Sequence, residues 1–184
     1  MRKSRGIWTA LDGLEIPWWN LGDFDLDGQY LLHCARWERR NAYAPISDFL
    51  VGGAFMTEAG NIRLGHNSEN VILNVLHAEG CALGRFEYQD LAHVIRLSVV
   101  GAPDEDKVPL VPAEAPVTCC GQCRQMIWEF CNANPGVEIL MSDPLLSRVW
   151  MTTIGKLLPA AFGPEALGIS PRKYMEERVA RLGS

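Results

Sequence analysis

If His77 and Glu79 act together with Cys120 and Cys123, the fold must carry two distant segments to one point. The residues stand as His77-Ala78-Glu79 and, far downstream, Cys120-Gly121-Gln122-Cys123. One imidazole and two thiolates supply three ligands to a tetrahedral zinc ion and leave the fourth position to water. Structural zinc sites are usually closed by four protein ligands. A three-ligand set with a carboxylate beside it therefore points to hydrolysis, with Glu79 as the group that moves protons. A lone CxxC is otherwise a redox pair or part of a closed zinc knuckle. No second CxxC is present to close a knuckle, and Cys34, Cys81 and Cys131 stand isolated.

The local spacing suits metal binding. Cys120 and Cys123 are i and i+3, so on a helix both thiols project from one face. The run Gly121 to Asn132 has amphipathic spacing, which predicts a helix with both thiols in its first turn. There the positive end of the helix favours thiolate, the form that binds metal. His77 precedes a second helical run, so two helix N-termini are expected to converge on one zinc ion per chain.

A chain of 184 residues is long enough for one substantial core. Nearly half of it, 48%, is apolar, yet no stretch approaches the roughly 20 apolar residues of a membrane span. The basic start MRKSRG leads into no apolar core of signal-peptide length. No membrane partner is expected, and the cytoplasm is the default location, which also suits thiols committed to a metal. The net charge of −5 speaks against a nucleic-acid partner. Arg2, Lys3 and Arg5 read as a terminus, and Arg36, Arg39 and Arg40 as a solvated helix face.

Strand and helix signals alternate along the chain. Residues 1–27 carry Trp8, Trp18, Trp19 and Phe24 without a clean period and read as an N-terminal extension that docks on the domain or on a neighbouring subunit. Asp27 is the predicted N-cap of a helix from Gly28 to Arg40 that buries Leu31, Leu32, Ala35 and Trp37. Strands are predicted at Leu50 to Met56, Asn61 to His66, Val94 to Val100, Val137 to Met141 and Arg148 to Met151. Helices are predicted from Val75 to Gly84, after Cys120, and from Thr153 to Leu158. This pattern predicts an α/β layered domain over residues 28–170 with a mixed sheet. Residues 171–184 form a tail, read as a helix capped by Ser170 with Pro171 at its first position.

Four segments carry a family resemblance. Tyr43-Ala44-Pro45-Ile46-Ser47-Asp48-Phe49-Leu50-Val51-Gly52-Gly53-Ala54, Asn67-Ser68-Glu69-Asn70, Thr118-Cys119-Cys120-Gly121-Gln122-Cys123-Arg124-Gln125 and Leu157-Leu158-Pro159-Ala160-Ala161-Phe162-Gly163-Pro164 resemble, in order, the motifs of nucleoside-salvage cytidine deaminases. The H-x-E…C-x-x-C arrangement is also the signature of zinc deaminases generally. The resemblance implies a three-layer α/β/α sandwich around a five-stranded sheet. It also implies zinc-dependent hydrolysis of cytidine or deoxycytidine to uridine or deoxyuridine with release of ammonia. A homotetramer is implied, with active sites completed across the interface. A homodimer stays open, because a His ligand is more typical of the two-domain members.

The same resemblance distributes roles. His77, Cys120 and Cys123 would hold zinc, and Glu79 would shuttle protons between the attacking water, the ring N3 and the departing amine. Asn67 and Glu69 would bind sugar hydroxyls, Phe49 would lie against the base, and Phe162 would come from another subunit. The backbone of Ala78 and the carbonyl of Thr118 would meet the polar edge of the pyrimidine. By residue type alone, Phe49 and Phe162 are also readable as core, Asn67 as a turn former and Glu69 as a loop charge. His66 reads as a loop residue, and Cys119, adjacent to Cys120, points elsewhere.

Departures from the pattern carry information too. Cys119 replaces the usual Pro, and His77 with Gly80 replaces the Cys and Arg of the tetrameric members. Three thiolates on Zn²⁺ sum to −1, whereas two thiolates and an imidazole sum to zero, so no compensating Arg is needed. The segment Asn67 to His77 lacks the Ser-Tyr-Gly found there in the tetrameric enzymes. That wall motivates an alternative substrate, a modified cytosine nucleoside of the blasticidin type or a base-substituted cytidine. Nucleic-acid editing would need a basic face, and a purely structural zinc site would have no use for Glu79.

Overall fold

The computed structural model of the chain describes residues 3–72, 74–87, 90 and 93–182. Strands β1 (Gly6–Thr9), β2 (Glu15–Trp19), β3 (Phe49–Thr57), β4 (Ile62–His66), β5 (Val94–Pro103), β6 (Glu138–Ser142) and β7 (Val149–Thr153) form one sheet in the order β1-β2-β7-β6-β5-β3-β4. Helices α1 (Leu26–Glu38), α2 (Ala78–Leu83), α3 (Gly121–Phe130), α4 (Ile154–Leu157) and α5 (Pro171–Leu182) complete the elements that matter here. The sheet is mixed, because β5 and β6 run parallel while the other neighbours are antiparallel.

Alternation along the strands directs side chains to two cores. Phe55, Leu97, Val99, Ile139, Met141 and Trp150 pack with Leu83 of α2, Ile127 of α3 and Ile154 of α4. Their sequence neighbours Ala54, Met56, Val100, Leu140 and Val149 pack with Leu31, Leu32 and Ala35 of α1. Helices therefore cover both faces. Two glycines let them approach: a Cβ at Gly52 would lie 2.0 Å from the Ala35 carbonyl oxygen, and one at Gly65 would lie 2.3 Å from that of Ala78.

The sheet has seven strands, not the five implied by the family resemblance. The added pair is the hairpin β1-β2, built from the N-terminal extension, with β2 antiparallel to β7 through Trp18↔Trp150 and Trp19↔Val149. It buries Ile16 and Trp19 and covers an edge of β7 that would otherwise present unpaired backbone groups. Its aromatics escaped the strand pattern because Pro17 and the glycines interrupt any alternation.

Helix α1 starts two residues earlier than predicted, with Asp25 rather than Asp27 as its cap. Asp25 Oδ1 accepts from the Gly28 amide at 2.7 Å and also from Arg96 Nη1 at 2.7 Å. That ion pair, from a residue distant in sequence, selects Asp25 over Asp27 and holds the Asp25 carboxyl below its ordinary range. Trp37, predicted in the core, is 62% exposed, because the buried face of α1 runs through Leu31, Leu32, Ala35 and Glu38. Helix α2 begins at Ala78, later than predicted. Residues before it are held in extended pairing, with Ser68 and Leu76 exchanging backbone hydrogen bonds at 2.9 Å. The tail helix α5 starts at Pro171, with the Lys173 amide donating to Ser170 Oγ at 3.3 Å.

Candidate metal centre and its cavity

Two helix starts meet at the metal centre. His77 is the N-cap of α2 and Cys120 the N-cap of α3, both in extended backbone conformation. Cys120 Sγ accepts from the Cys123 amide at 3.4 Å, which sets the first turn of α3 and brings the second thiol to the same side. Cys120 Sγ lies 3.4 Å from His77 Nδ1, and the ligand atoms of His77, Cys120 and Cys123 all fall within 4.8 Å of one another. A tetrahedral ion bonded at ordinary Zn–N and Zn–S lengths separates nitrogen from sulfur by about 3.6 Å. The donor set and its spacing therefore fit zinc.

Electrostatics also favour a cation here. Burial pushes the Cys123 thiol well up, and the charge of Glu79 together with Cys120 pushes it further. Cys119, fully buried in the core, is raised by burial first and then by Glu79. A dication reverses this for thiols it touches, because a coordinating thiol is deprotonated outright. Cys119 is not part of the ligand cluster. All six cysteines are free thiols.

In front of the ligands lies a cavity of about 220 Å³. It brings together Phe49, Asn67, His77, Ala78, Glu79, Thr118 and Cys120 of the residues singled out from sequence, closed by Ser47 and four valines. Glu79, in the first turn of α2, is 5% exposed, so its carboxylate sits at the cavity wall with little water around it. An apolar wall with a few convergent polar groups is the usual make-up of a small-molecule site.

Two of the singled-out side chains are engaged elsewhere. Glu69 does not line the cavity. It accepts from the Ile46 amide at 2.8 Å, the Ser47 amide at 3.1 Å and Ser47 Oγ at 2.6 Å. The Ser47 hydroxyl and these amides hold its carboxyl below the ordinary range. Phe162 is 65% exposed and outside the cavity, with its carbonyl accepting from Gln125 Nε2 at 2.8 Å. Asn67 lines the cavity but also braces β3, donating to the Phe49 carbonyl and accepting from the Val51 amide, both at 2.8 Å.

Sequence reasoning passed over the side-chain bonds of three residues, two of them at the site. Ser47 lines the cavity and ties its rim to Glu69. Arg124 donates to the carbonyls of Cys119 at 2.8 Å and Leu157 at 3.0 Å, locking the loop before α3 to the C-terminal segment. His66, read as a loop residue, ends β4 with Nδ1 2.8 Å from the buried Glu38 carboxylate. The first two sit inside the quoted motifs, so their position was the available signal.

Comparison with known proteins adds an independent line. The family model described as "Cytidine and deoxycytidylate deaminase zinc-binding region" matches residues 26–135. A cytidine deaminase of Sporosarcina psychrophila is 34% identical over 143 residues, covering 77% of this chain and 96% of that protein. One from Halalkalibacterium halodurans is 32% identical over 141 residues, covering 76% and 97%. A crystal structure of cytidine deaminase from Burkholderia pseudomallei superposes with a TM-score of 0.59 at 30% identity, covering 72% of this chain and 97% of that one.

Proposed function

Because the chain belongs to the zinc-dependent cytidine and deoxycytidylate deaminase family, we propose that it hydrolyses the C4 amino group of cytidine or deoxycytidine. The observation that carries this reading is the buried Glu79 carboxylate in one cavity with the ligands His77 and Cys120. His77, Cys120 and Cys123 would hold one zinc ion. When bound, zinc lowers the pKa of water from its bulk value to about 7, making hydroxide available near neutral pH.

The protein's own residues do the rest. Glu79 takes the proton of the attacking water and passes it to N3 of the ring as oxygen adds to C4. It then takes the proton of the hydroxyl now on C4 and delivers it to the amine, so that the C4–N bond breaks as the C4 carbonyl forms and water and cytidine leave as uridine and ammonia. Phe49 flanks the base, and the backbone of Ala78 and the carbonyl of Thr118 face its polar edge. Asn67 and, through Ser47, Glu69 form the sugar end. The relatives above are cytidine deaminases, which favours the plain nucleoside over a modified cytosine.

The catalytic unit is residues 28–170, and the chain works as a homotetramer or homodimer in which Phe162 reaches a neighbour's cavity. Its exposure and its place outside the lining of its own cavity support that role. No helix among the described residues is long and apolar enough to cross a membrane. Six free thiols suit nucleoside salvage in the reducing cytoplasm. The deciding experiment is loss of cytidine ultraviolet absorbance with stoichiometric ammonia release by zinc-loaded protein. Absence of turnover on cytidine and deoxycytidine, with zinc bound at one per chain, would overturn the proposal.

A further inference from the structure

Across the sheet from the metal centre, α1 and the turn after it present His33, Arg36, Trp37 and Arg40 at i, i+3, i+4 and i+7, a single helix face. That face opens on a cleft of about 670 Å³, bounded also by Arg39, Glu105, Leu110, Pro144 and Leu145. The buried Arg39 is fully engaged. It donates to Glu105 at 2.6 Å, to the Leu50 and Ala102 carbonyls at 3.1 Å, and to the Pro103 carbonyl at 2.7 Å. Glu105, the one carboxylate among the lining residues, is thereby taken.

The other cations are left over. Among the described residues, Arg36 and His33 make no hydrogen bond or ion pair. Arg40 sits over the Trp37 ring, its guanidinium 4.8 Å from the centroid, and among the described residues makes no hydrogen bond or ion pair. Two arginines at i and i+4 repel one another, and Glu105, already bonded to Arg39, acts on Arg40 only through space. In a chain of net charge −5 this is a local reversal of sign at the mouth of a cavity. Guanidinium forks match phosphate oxygens in geometry as well as charge. Trp37, 62% exposed, offers a ring face, and Leu110, Pro144 and Leu145 make an apolar wall for a second flat group.

We propose that this cleft binds a small phosphorylated compound with a flat ring, a nucleoside di- or triphosphate, at a place separate from the metal cavity. Arg36 and Arg40 take the phosphates, with His33 at their side, and Trp37 stacks on the ring. The inference stands on these side chains alone and does not depend on the deaminase reading.

Calorimetric titration of the zinc-loaded full chain at low ionic strength tests it. The probes are ATP, which has no cytosine to enter the metal cavity, inorganic pyrophosphate, adenosine, and a short single-stranded oligonucleotide. The expected result is one ATP per chain, with affinity falling as salt rises, pyrophosphate binding more weakly, and adenosine not binding. Arg36→Gln with Arg40→Gln should weaken ATP and pyrophosphate roughly tenfold or more while cytidine turnover stays at the wild-type rate. Trp37→Leu should weaken ATP alone. No binding of ATP or pyrophosphate at millimolar concentration overturns the proposal. Affinity unchanged in the double variant does the same, and binding of the oligonucleotide alone would assign the cleft to a nucleic-acid strand instead.

Discussion

Ser47 Oγ donates a 2.6 Å hydrogen bond to Glu69 Oε1, and of the two residues it is Ser47 that lines the cavity. The carboxylate thus holds the cavity rim from behind. This bond, with the Ile46 and Ser47 amides, lowers the folded-state pKa of Glu69 below its unfolded value of about 4.3. A depressed carboxyl contributes stability that is present above the unfolded pKa and is lost as pH falls through the folded one. Wild-type protein should therefore lose stability below about pH 4.3 more steeply than Ser47→Ala, whose Glu69 lacks the strongest of its partners. Denaturant midpoints measured across that acid range check it, and parallel slopes for the two proteins would show that the bond does not act this way.

Glu79→Gln keeps the shape of the side chain and removes its ability to carry a proton. Turnover should fall by roughly 10² to 10⁴-fold. Zinc content should stay at one per chain, because Glu79 is outside the ligand cluster. Cys123→Ala should instead lose the metal. Metal analysis beside steady-state kinetics separates the two, and loss of zinc from Glu79→Gln would count against a proton-transfer role.

The metal ligands were legible in the sequence because zinc dictates both residue type and short-range spacing, and Cys120 to Cys123 is a local relationship. Strands β3 to β7 were legible for a similar reason, each being a bounded apolar run. What escaped depends on partners far along the chain. Asp25 caps α1 because Arg96 meets it, and Glu69 turns away from the cavity because Ser47 and Ile46 present donors. Trp37 was misplaced because its size suggested the core, while the helix phase set by Leu31, Leu32 and Ala35 points it outward.

Gly65 sets how closely α2 approaches β4. A Cβ there would lie 2.3 Å from the Ala78 carbonyl oxygen and 2.4 Å from the Ala82 amide nitrogen, all backbone. Gly65→Ala must therefore push the helix that starts with Ala78 and Glu79. The expected cost is about 1–3 kcal/mol or more of stability. A fall in kcat should accompany it, since the displaced residues line the cavity in front of the metal ligands. Unfolding curves and kinetics on the same preparation check it; a variant with unchanged stability and activity would mean that the contact relaxes freely.

Phe162 is 65% exposed in the single chain, which suits a side chain completed by a neighbour. Phe162→Ala should raise KM for cytidine while leaving zinc content intact. Dilution of the wild-type protein below the dissociation constant of the assembly should lower its specific activity. Light scattering with kinetics over a dilution series tests both. A fully active monomer would place Phe162 outside catalysis.

His77 and Gly80 belong together. Two thiolates and an imidazole leave a Zn²⁺ site neutral, whereas His77→Cys would make it −1 and oppose the build-up of negative charge on the attacking oxygen. The single variant should lose roughly tenfold or more in kcat/KM, about 1.4 kcal/mol, with zinc still bound. Adding Gly80→Arg should restore part of the loss. A cleft of about 430 Å³ beside Gly80, shared with Gln122 and Met126, gives the new side chain room. Only the Met126 methyl group, 3.3 Å from the built Cβ, has to move, and it is the flexible end of its side chain. Kinetics and zinc content of the single and double variants decide the matter. Full activity in His77→Cys with Gly80 unchanged would sink the charge argument, because the site would then work with the extra thiolate uncompensated.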